Sequence, residues 1–207
     1  QLYWRALTLE RFDGRRWSQA SAAQLPLAPA WEKRGEPLRY SIVMQPSSQR
    51  WLFGLDVAET TLDQARQMND FRLQRQQPVE RSLLYQVTSW PQALREPAGT
   101  ATGLRRALQL PATGDPRSRV WAAELKRRYP QPEELVQALL GHFNREPYGY
   151  TLRPPQLGVN SIDDFLFETR NGFCAHYAGA MTFVLRAAGI PARVVAGYQG
   201  GEYNPSG

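Results

Sequence analysis

The sequence predicts an α+β protein: an N-terminal antiparallel, sandwich-like β domain followed by a helical domain. Apolar and polar residues alternate through much of residues 1–93, as they do in half-buried strands. After residue 104 the apolar residues recur at helical spacing instead. Residues 94–103, between the two, contain proline and glycine and few apolar side chains. We therefore expect a β-rich domain at 1–93, a linker at 94–103 and a second domain at 104–207.

The strands of the first domain are predicted from period-two patterns. Residues 38–44 alternate throughout, and Leu83, Tyr85 and Val87 lie on one side of a later run. In residues 51–57 a single strand is expected, with its bulky apolar residues on one face: Trp51, Phe53, Leu55 and Val57. The segment RFDGRRW contains Asp13-Gly14, a pair typical of hairpin turns. These features indicate a small antiparallel sheet or sandwich.

The helices of the second domain begin at proline and polar capping residues. Asp115-Pro116 predicts a helix running towards Tyr129. Pro132 starts another, with an apolar stripe at Leu135, Val136, Leu139, Leu140 and Phe143. Ser161 and Asp164 have the spacing of a capping box.

Another, mostly apolar helix is predicted from Phe173 or Cys174 to Ala188, where Gly189 and Pro191 end it. Its composition is that of a central, buried helix. The following segment ARVVAGY, residues 192–198, is predicted as a buried strand.

Composition excludes several classes of protein. The 207 residues contain one cysteine and two histidines, so no internal disulfide or zinc cluster is expected, and no cofactor is called for. No stretch without Asp, Glu, Lys or Arg is longer than residues 171–185, which are too few to span a membrane. The net charge is +6, but the basic residues are scattered among acids, so we expect no nucleic-acid partner.

The chemistry of the chain centres on Cys174. A cysteine at a helix N-terminus meets unpaired N–H groups and the positive end of the helix dipole, which favour the thiolate. Free cysteine is also among the most frequently buried residues, and is then inert. Position alone leaves a nucleophile and a core residue equally supported.

A general base for this thiol is missing from the sequence. His176 is two residues away, which places the two side chains on nearly opposite sides of a helix, so a packed or capping histidine is expected there. His142 lies in another predicted helix and could approach only through tertiary folding. Asp163 and Asp164 are better explained as acids in the first turn of a helix than as a catalytic pair.

Several segments carry a family resemblance. NGFCAHYAGAMTFVLRAAGIPARVVAGY resembles the active-site segment of the transglutaminase-like superfamily, whose fold is related to papain. YWRALTLERFDGRRWS, YTLRPPQLG, DDFLFETRNGFCAHYA and GYQGGEYNP together resemble the TgpA family. Members of that family are bacterial inner-membrane proteins with a periplasmic transglutaminase-like domain.

The resemblance implies a cysteine acyltransferase in which Cys174 is the nucleophile. It also implies that the catalytic histidine and aspartate follow the GGEYNP segment, beyond Gly207, so this chain is expected to be truncated and inactive. The Cys174 N–H is a candidate oxyanion donor, and Tyr148 and Tyr150 are weaker candidates for a second donor or a cleft wall. The implied partners are a protein or peptide glutamine and an amine acceptor. The implied location is the periplasm, with the membrane anchor outside this chain and the oligomeric state open.

Two other classes of function stay open. The same triad hydrolyses amides when water is the acceptor, so the chain could belong to a thiol amidase or peptidase acting on cell-wall peptides. It could also be a non-catalytic binding module that uses the β domain for recognition. Amine incorporation separates the first alternative from a transferase.

Overall fold

The structure is a computed structural model, and it describes residues 2–20, 30–95 and 101–201. The predicted class is confirmed: antiparallel strands come first and helices follow. The strands are β1 Tyr3–Leu9, β2 Arg11–Phe12, β3 Trp17–Ser18, β4 Trp31–Glu32, β5 Leu38–Met44, β6 Trp51–Leu52, β7 Gly54–Leu55, β8 Ala58–Thr60, β9 Ala65–Gln67, β10 Leu73–Arg75, β11 Leu83–Ser89, β12 Leu94–Arg95, β13 Gly149–Tyr150, β14 Asn171–Gly172 and β15 Val194–Gln199. The helices are α1 Ala101–Ala107, α2 Pro116–Arg128, α3 Pro132–Arg145, α4 Ser161–Asp163, continued by a π-helical turn Asp164–Thr169, and α5 Cys174–Ala187.

The chain forms two compact units, each built from separate segments. Unit 1 comprises residues 1–8, 20–100 and 195–207, and unit 2 comprises residues 9–19 and 101–194. In the segment expected to be a linker, residues 96–100 lie outside the described residues. Its ends are ordered elements, strand β12 and helix α1. The division of the sequence at 94–103 stays a prediction.

Unit 1 is built from small antiparallel sheets. In the β5–β11–β8 sheet, β11 pairs with β5 in a register that sets Tyr85 opposite Ile42 and Val87 opposite Tyr40. Tyr85 and Val87 are buried, as their alternation predicts. Further sheets have the orders β15–β1–β7, β6–β10–β9 and β12–β4. The core of the unit contains Met44, Leu52, Ala58, Leu73, Val79, Tyr85 and Val87.

The single strand expected at residues 51–57 is wrong. The segment forms β6 and β7, which belong to two different sheets, and Leu52 is fully buried although the alternation placed it on the outer face. The break is at Phe53, whose backbone N–H donates to Tyr85 Oη while the same hydroxyl donates to the Phe53 carbonyl, both at 2.9 Å. Asp56 then adopts a left-handed conformation with φ of 49°, which ends the extended run.

The strand predicted at residues 192–198 is present as β15 but is mostly not buried. Val194 is buried, whereas Tyr198 is 69% exposed. β15 lies at the edge of its three-stranded sheet, next to β1. A close backbone approach explains Gly197, because a Cβ atom there would lie 1.9 Å from the Trp4 carbonyl oxygen.

Unit 2 contains the predicted helices. α2 and α3 begin at Pro116 and Pro132, and α5 begins at Cys174, all as expected. Leu135 and Leu139 are fully buried on the apolar stripe of α3, while Leu140 at its margin is 40% exposed. The core of the unit contains Phe12, Ala122, Leu135, Leu139, Ile162, Phe165, Leu166, Ala180, Phe183, Val184, Leu185 and Ala188.

An N-terminal hairpin completes this helical core. β2 pairs with β3 around the predicted Asp13-Gly14 turn, in which Gly14 has φ of 106°. Phe12 is stacked on Trp17 with 4.7 Å between ring centroids and contacts Phe183 of α5 edge-on. The side-chain amide of Gln109 binds both the N–H and the carbonyl of Phe12. The sequence pattern assigned these residues to the β domain, and their contacts place them in unit 2.

The N-termini of α2 and α4 are each capped by an aspartate that lies at the start of the other helix. Asp163 accepts hydrogen bonds from the N–H groups of Arg117 and Ser118 at the start of α2. Asp115, which precedes α2, accepts from the N–H groups of Ile162 and Asp163 at the start of α4. The expected Ser161–Asp164 capping box is wrong: the Asp164 N–H binds the Asn160 carbonyl, and the Asp164 side chain accepts from the Gly158 N–H.

Candidate active site

The chain immediately before Cys174 is shaped by irregular backbone. The π-helical turn Asp164–Thr169 ends at Arg170, whose φ is 50°. β14 follows and pairs in parallel with β13, flanked by N–H···O bonds from Gly149 to Arg170 and from Thr151 to Gly172. π-helical turns of this kind occur frequently at functional sites. Here the turn and β14 directly precede the start of α5.

Cys174 is the first residue of α5 and its side chain is exposed. Phe173 before it is extended, with φ of −109° and ψ of −179°. The first N–H groups of a helix have no acceptor within the helix, so they point towards any group that lies at its N-terminus. From Gly179 to Arg186 the helix is largely buried. The thiol is therefore held at the exposed N-terminus of a helix whose C-terminal half is anchored in the core.

His176 caps the helix that Cys174 opens. Its Nδ1 accepts a hydrogen bond from the Phe173 N–H at 3.3 Å, and its ring packs edge-on against the Phe173 ring at 4.4 Å. Because Nδ1 accepts, the neutral ring carries its proton on Nε2. Burial lowers the pKa of His176, which favours this neutral form. The capping role expected from helix geometry is confirmed.

His142 is bound in an aromatic cluster. Its Nε2 lies 3.1 Å from Tyr148 Oη, and that hydroxyl donates to the Leu166 carbonyl at 2.9 Å. The hydroxyl proton of Tyr148 is thus already donated to the Leu166 carbonyl. In the bond between His142 and Tyr148, His142 must therefore donate from Nε2. Burial lowers the pKa of His142 and raises the pKa of Tyr148 to about 12. Both groups act as packed, hydrogen-bonded parts of the core in this arrangement.

Tyr150 and Tyr177 bring aromatic surface to the start of α5. Tyr150 is 65% exposed, and its ring is stacked on Tyr177 with an angle of 18° between the planes. Tyr177 lies in the first turn of α5 and also contacts Phe143, Tyr148 and Phe165. The two sequence-predicted tyrosines therefore differ, since Tyr148 is half-buried and internally bonded while Tyr150 is open to solvent.

Gly172 is a sterically constrained position at the candidate site that sequence reasoning missed. A Cβ atom at this residue would lie 2.7 Å from the Cβ and Cγ atoms of His176. Any side chain would displace the capping histidine and, with it, the start of α5. The available signal was a glycine two residues before the cysteine, which was taken only as the end of the preceding element. Among the described residues, no group of three or more His, Cys, Asp or Glu side chains could hold a metal ion.

Comparison with known families agrees with this architecture. The family described as the TgpA N-terminal domain matches residues 1–96, and the transglutaminase-like superfamily matches residues 119–206, which include Cys174 and α5. The fold and the cysteine at the start of α5 thus define a transglutaminase-like protein. Two crystal structures of the periplasmic domain of TgpA from Pseudomonas aeruginosa superpose on the whole chain. One, bound to ethylmercury, has a TM-score of 0.95 and 63% identity, and the chain covers 73% of it. The other has a TM-score of 0.93 and 62% identity, with 72% covered. This chain belongs to the TgpA family.

Curated relatives extend the comparison. The chain is 63% identical over its full length to a protein-glutamine gamma-glutamyltransferase of Pseudomonas aeruginosa, and it spans 31% of that relative's length. It is 35% identical over 105 residues to the uncharacterized protein YebA of Bacillus subtilis, which corresponds to 14% of that protein. In the described part of this chain, no helix has the length and apolarity needed to cross a membrane.

Proposed function

We propose that this chain carries the nucleophilic half of a periplasmic transglutaminase-like acyltransferase, with Cys174 as the nucleophile. The observation that supports this most directly is the exposed thiol on the first residue of a helix that is largely buried from Gly179 to Arg186. The protein-glutamine gamma-glutamyltransferase homologue and the transglutaminase-like match across Cys174 support the reaction class.

The reaction we propose is acyl transfer through a thioester. The Cys174 Sγ, as thiolate, attacks the carbonyl carbon of a glutamine side-chain amide. The resulting oxyanion is held by the backbone N–H of Cys174 at the helix N-terminus. Ammonia leaves with a proton supplied by a general acid, and a primary amine or water then attacks the thioester. The products are the new amide or acid and the regenerated thiol.

The general base is not one of the two histidines of this chain. His176 accepts from the Phe173 N–H, and His142 is bonded to Tyr148 within the aromatic cluster. A triad requires a histidine whose free nitrogen faces the nucleophile, with a carboxylate orienting its other nitrogen. We therefore propose that the 207-residue chain alone has no turnover, and that the histidine and aspartate belong to sequence beyond it.

Tyr150 is the tyrosine we propose for the cleft wall. It is exposed and precedes Thr151, whose N–H binds the Gly172 carbonyl next to the active-site turn. Tyr148 is a poorer candidate, because its hydroxyl already donates to Leu166. A flat aromatic surface at this place suits the aliphatic stem of a glutamine side chain.

The experiment compares two polypeptides in one assay. The first is the 207-residue chain, and the second is a longer chain matching the full periplasmic domain of the solved relative. Incorporation of a labelled primary amine into a glutamine-containing protein is measured together with ammonia release. We expect both signals from the longer chain and neither from the 207-residue chain.

The alternatives give different outcomes. Ammonia release without amine incorporation identifies an amidase, in which water is the acceptor. Turnover by the 207-residue chain contradicts the assignment of the base, and the variants His142→Gln and His176→Gln then identify the histidine responsible. A longer chain that is folded but silent in both assays supports a binding module.

A further inference from the structure

A cavity in unit 1 is lined by basic and amide side chains. Its volume is about 380 Å³, within the range of sites for small molecules. The lining residues are Arg50, Gln64, Ala65, Arg66, Gln74, Arg75 and Gln76. No aspartate or glutamate is among them. Three arginines and three glutamines thus line one concave site.

The strands of one sheet bring these side chains together. β10 pairs with β6 on one side and with β9 on the other, so that Gln74 lies opposite Arg66. At the end of β10 the Arg75 N–H binds the Arg50 carbonyl at 2.9 Å, and the Gln76 N–H binds the Gln64 carbonyl at 3.0 Å. The backbone under the cavity is therefore fixed by hydrogen bonds on both sides of the central strand.

The charges of the cavity are not balanced by neighbouring acids. Within the described part of the chain, Arg50, Arg66 and Arg75 form no ion pair, although several other arginines of unit 1 do. The Nε atom of Arg75 is buried and has no hydrogen-bond partner among the described residues. Like charges around one cavity repel each other, and a buried donor without a partner is unfavourable. An anion bound between these arginines would reduce their mutual repulsion.

We propose that this cavity binds a compact, multiply charged oxyanion, such as a small polycarboxylate or an organic phosphate. Guanidinium groups bind carboxylate and phosphate oxygens in pairs, and glutamine amides add neutral donors. The concave shape favours a small ligand, because a membrane surface or a nucleic acid needs an extended basic face.

Calorimetric titration of the full chain tests the site with three soluble probes: citrate, glycerol 3-phosphate and inorganic phosphate. Glycerol serves as the uncharged control. We expect citrate or glycerol 3-phosphate to bind with a dissociation constant of about 1 mM or tighter, a scale that a few charge-assisted hydrogen bonds support. Comparison of the three probes shows whether carboxylate or phosphate is preferred.

Two double variants that lose the same charge distinguish specific binding in the cavity from nonspecific electrostatic attraction. Arg50→Gln/Arg66→Gln removes two cavity arginines, and we expect binding to weaken by roughly tenfold or more. Arg39→Gln/Arg81→Gln removes two exposed arginines outside the lining, and binding should stay within about twofold. Arg75→Lys keeps the charge but loses the planar fork, so it should also weaken binding. Unchanged circular dichroism establishes that each variant is folded.

Three results would overturn the proposal. The first is the absence of binding by every soluble anion. The second is an equal loss in the two double variants, which would indicate nonspecific attraction to a basic protein. The third is binding only to vesicles containing phosphatidylglycerol, which would indicate a membrane-facing surface instead of a site for a compact anion.

Discussion

The guanidinium of Arg186 donates a hydrogen bond of 2.7 Å to the backbone carbonyl of Glu10, 176 residues earlier in the chain. The same group binds the carbonyls of Gln109 and Ala192, at 2.8 and 2.7 Å. Arg186 lies in the last turn of α5, the helix that begins at Cys174. The N-terminal hairpin is thereby fixed to the helix that carries the candidate nucleophile, all within unit 2.

Replacement of Arg186 tests the contribution of these bonds. Lysine keeps the charge but offers a single ammonium group, which cannot reach three carbonyls placed around a planar fork. We expect Arg186→Lys to lower the free energy of unfolding by about 2–4 kcal/mol, since buried acceptors lose charged donors. Arg127→Lys, at an exposed position of α2, should change it by less than about 0.5 kcal/mol. Urea unfolding followed by tryptophan fluorescence measures both, and equal effects would contradict the assigned role.

The reciprocal aspartate caps predict an asymmetry between two similar variants. Asp163 uses both carboxylate oxygens, whereas both donors to Asp115 reach its Oδ1. Asparagine keeps one carbonyl oxygen, so Asp163→Asn should lower the free energy of unfolding by about 1–3 kcal/mol. Asp115→Asn should change it by less than about 1 kcal/mol at neutral pH. Thermal and urea unfolding of both variants measure this difference. Equal destabilisation would argue against this hydrogen-bond geometry.

The Asp115 variant also predicts a change in pH dependence. Burial raises the pKa of Asp115 above its usual value of 3.8. The folded state then holds its proton more tightly than the unfolded state, so stability decreases as pH rises from 3.8 through the folded pKa. Asp115→Asn removes this decrease. As pH rises across that range, the free energy of unfolding should therefore decrease less in the variant than in the parent chain.

The lowered pKa values of the two histidines predict that the folded chain loses stability in acid. Burial lowers the pKa of His142 and of His176 below the usual 6.5, so the unfolded state binds more protons than the folded state below that pH. Their contribution to stability is complete above 6.5 and is lost as pH falls through the folded pKa values. The melting temperature should fall from pH 7 to about 5. A double variant, His142→Gln/His176→Gln, should show a shallower decline, and an identical decline would refute the assignment.

The exposure of Cys174 predicts a reactive thiol in the folded chain. The side chain is exposed at the first residue of α5, so a reagent reaches it without unfolding. At neutral pH iodoacetamide should therefore alkylate the folded chain at a rate similar to that of the urea-unfolded chain. Because the chain has one cysteine, the mass gain reports this residue alone, and Cys174→Ser provides the blank. Protection until unfolding would mean that the thiol is a core residue.

The sequence predicted those features that depend on local signals. Pro116 and Pro132 mark the starts of α2 and α3, and Gly189 follows the C-terminal end of α5. Asp13-Gly14 marks the hairpin turn. In each case the backbone preference of one or two residues is enough, and no distant contact is needed to choose the conformation.

The features that sequence reasoning missed depend on distant partners. The run at residues 51–57 is divided because Tyr85, more than thirty positions away, binds both backbone groups of Phe53. The start of α4 is capped by Asp115 from another helix. Placement of the hairpin in unit 2 follows from Arg186 and Gln109, and no pattern within residues 9–19 reveals it.

The central claim is that Cys174 is the nucleophile of an acyl-transfer reaction. The direct measurement is amine incorporation by the longer, active polypeptide carrying Cys174→Ala, with its melting temperature measured alongside. We expect incorporation to fall to background, because the substitution removes the sulfur atom that forms the thioester. The melting temperature should stay within a few degrees of the parent value, since the side chain is exposed. Substantial incorporation by a folded Cys174→Ala variant would contradict the account.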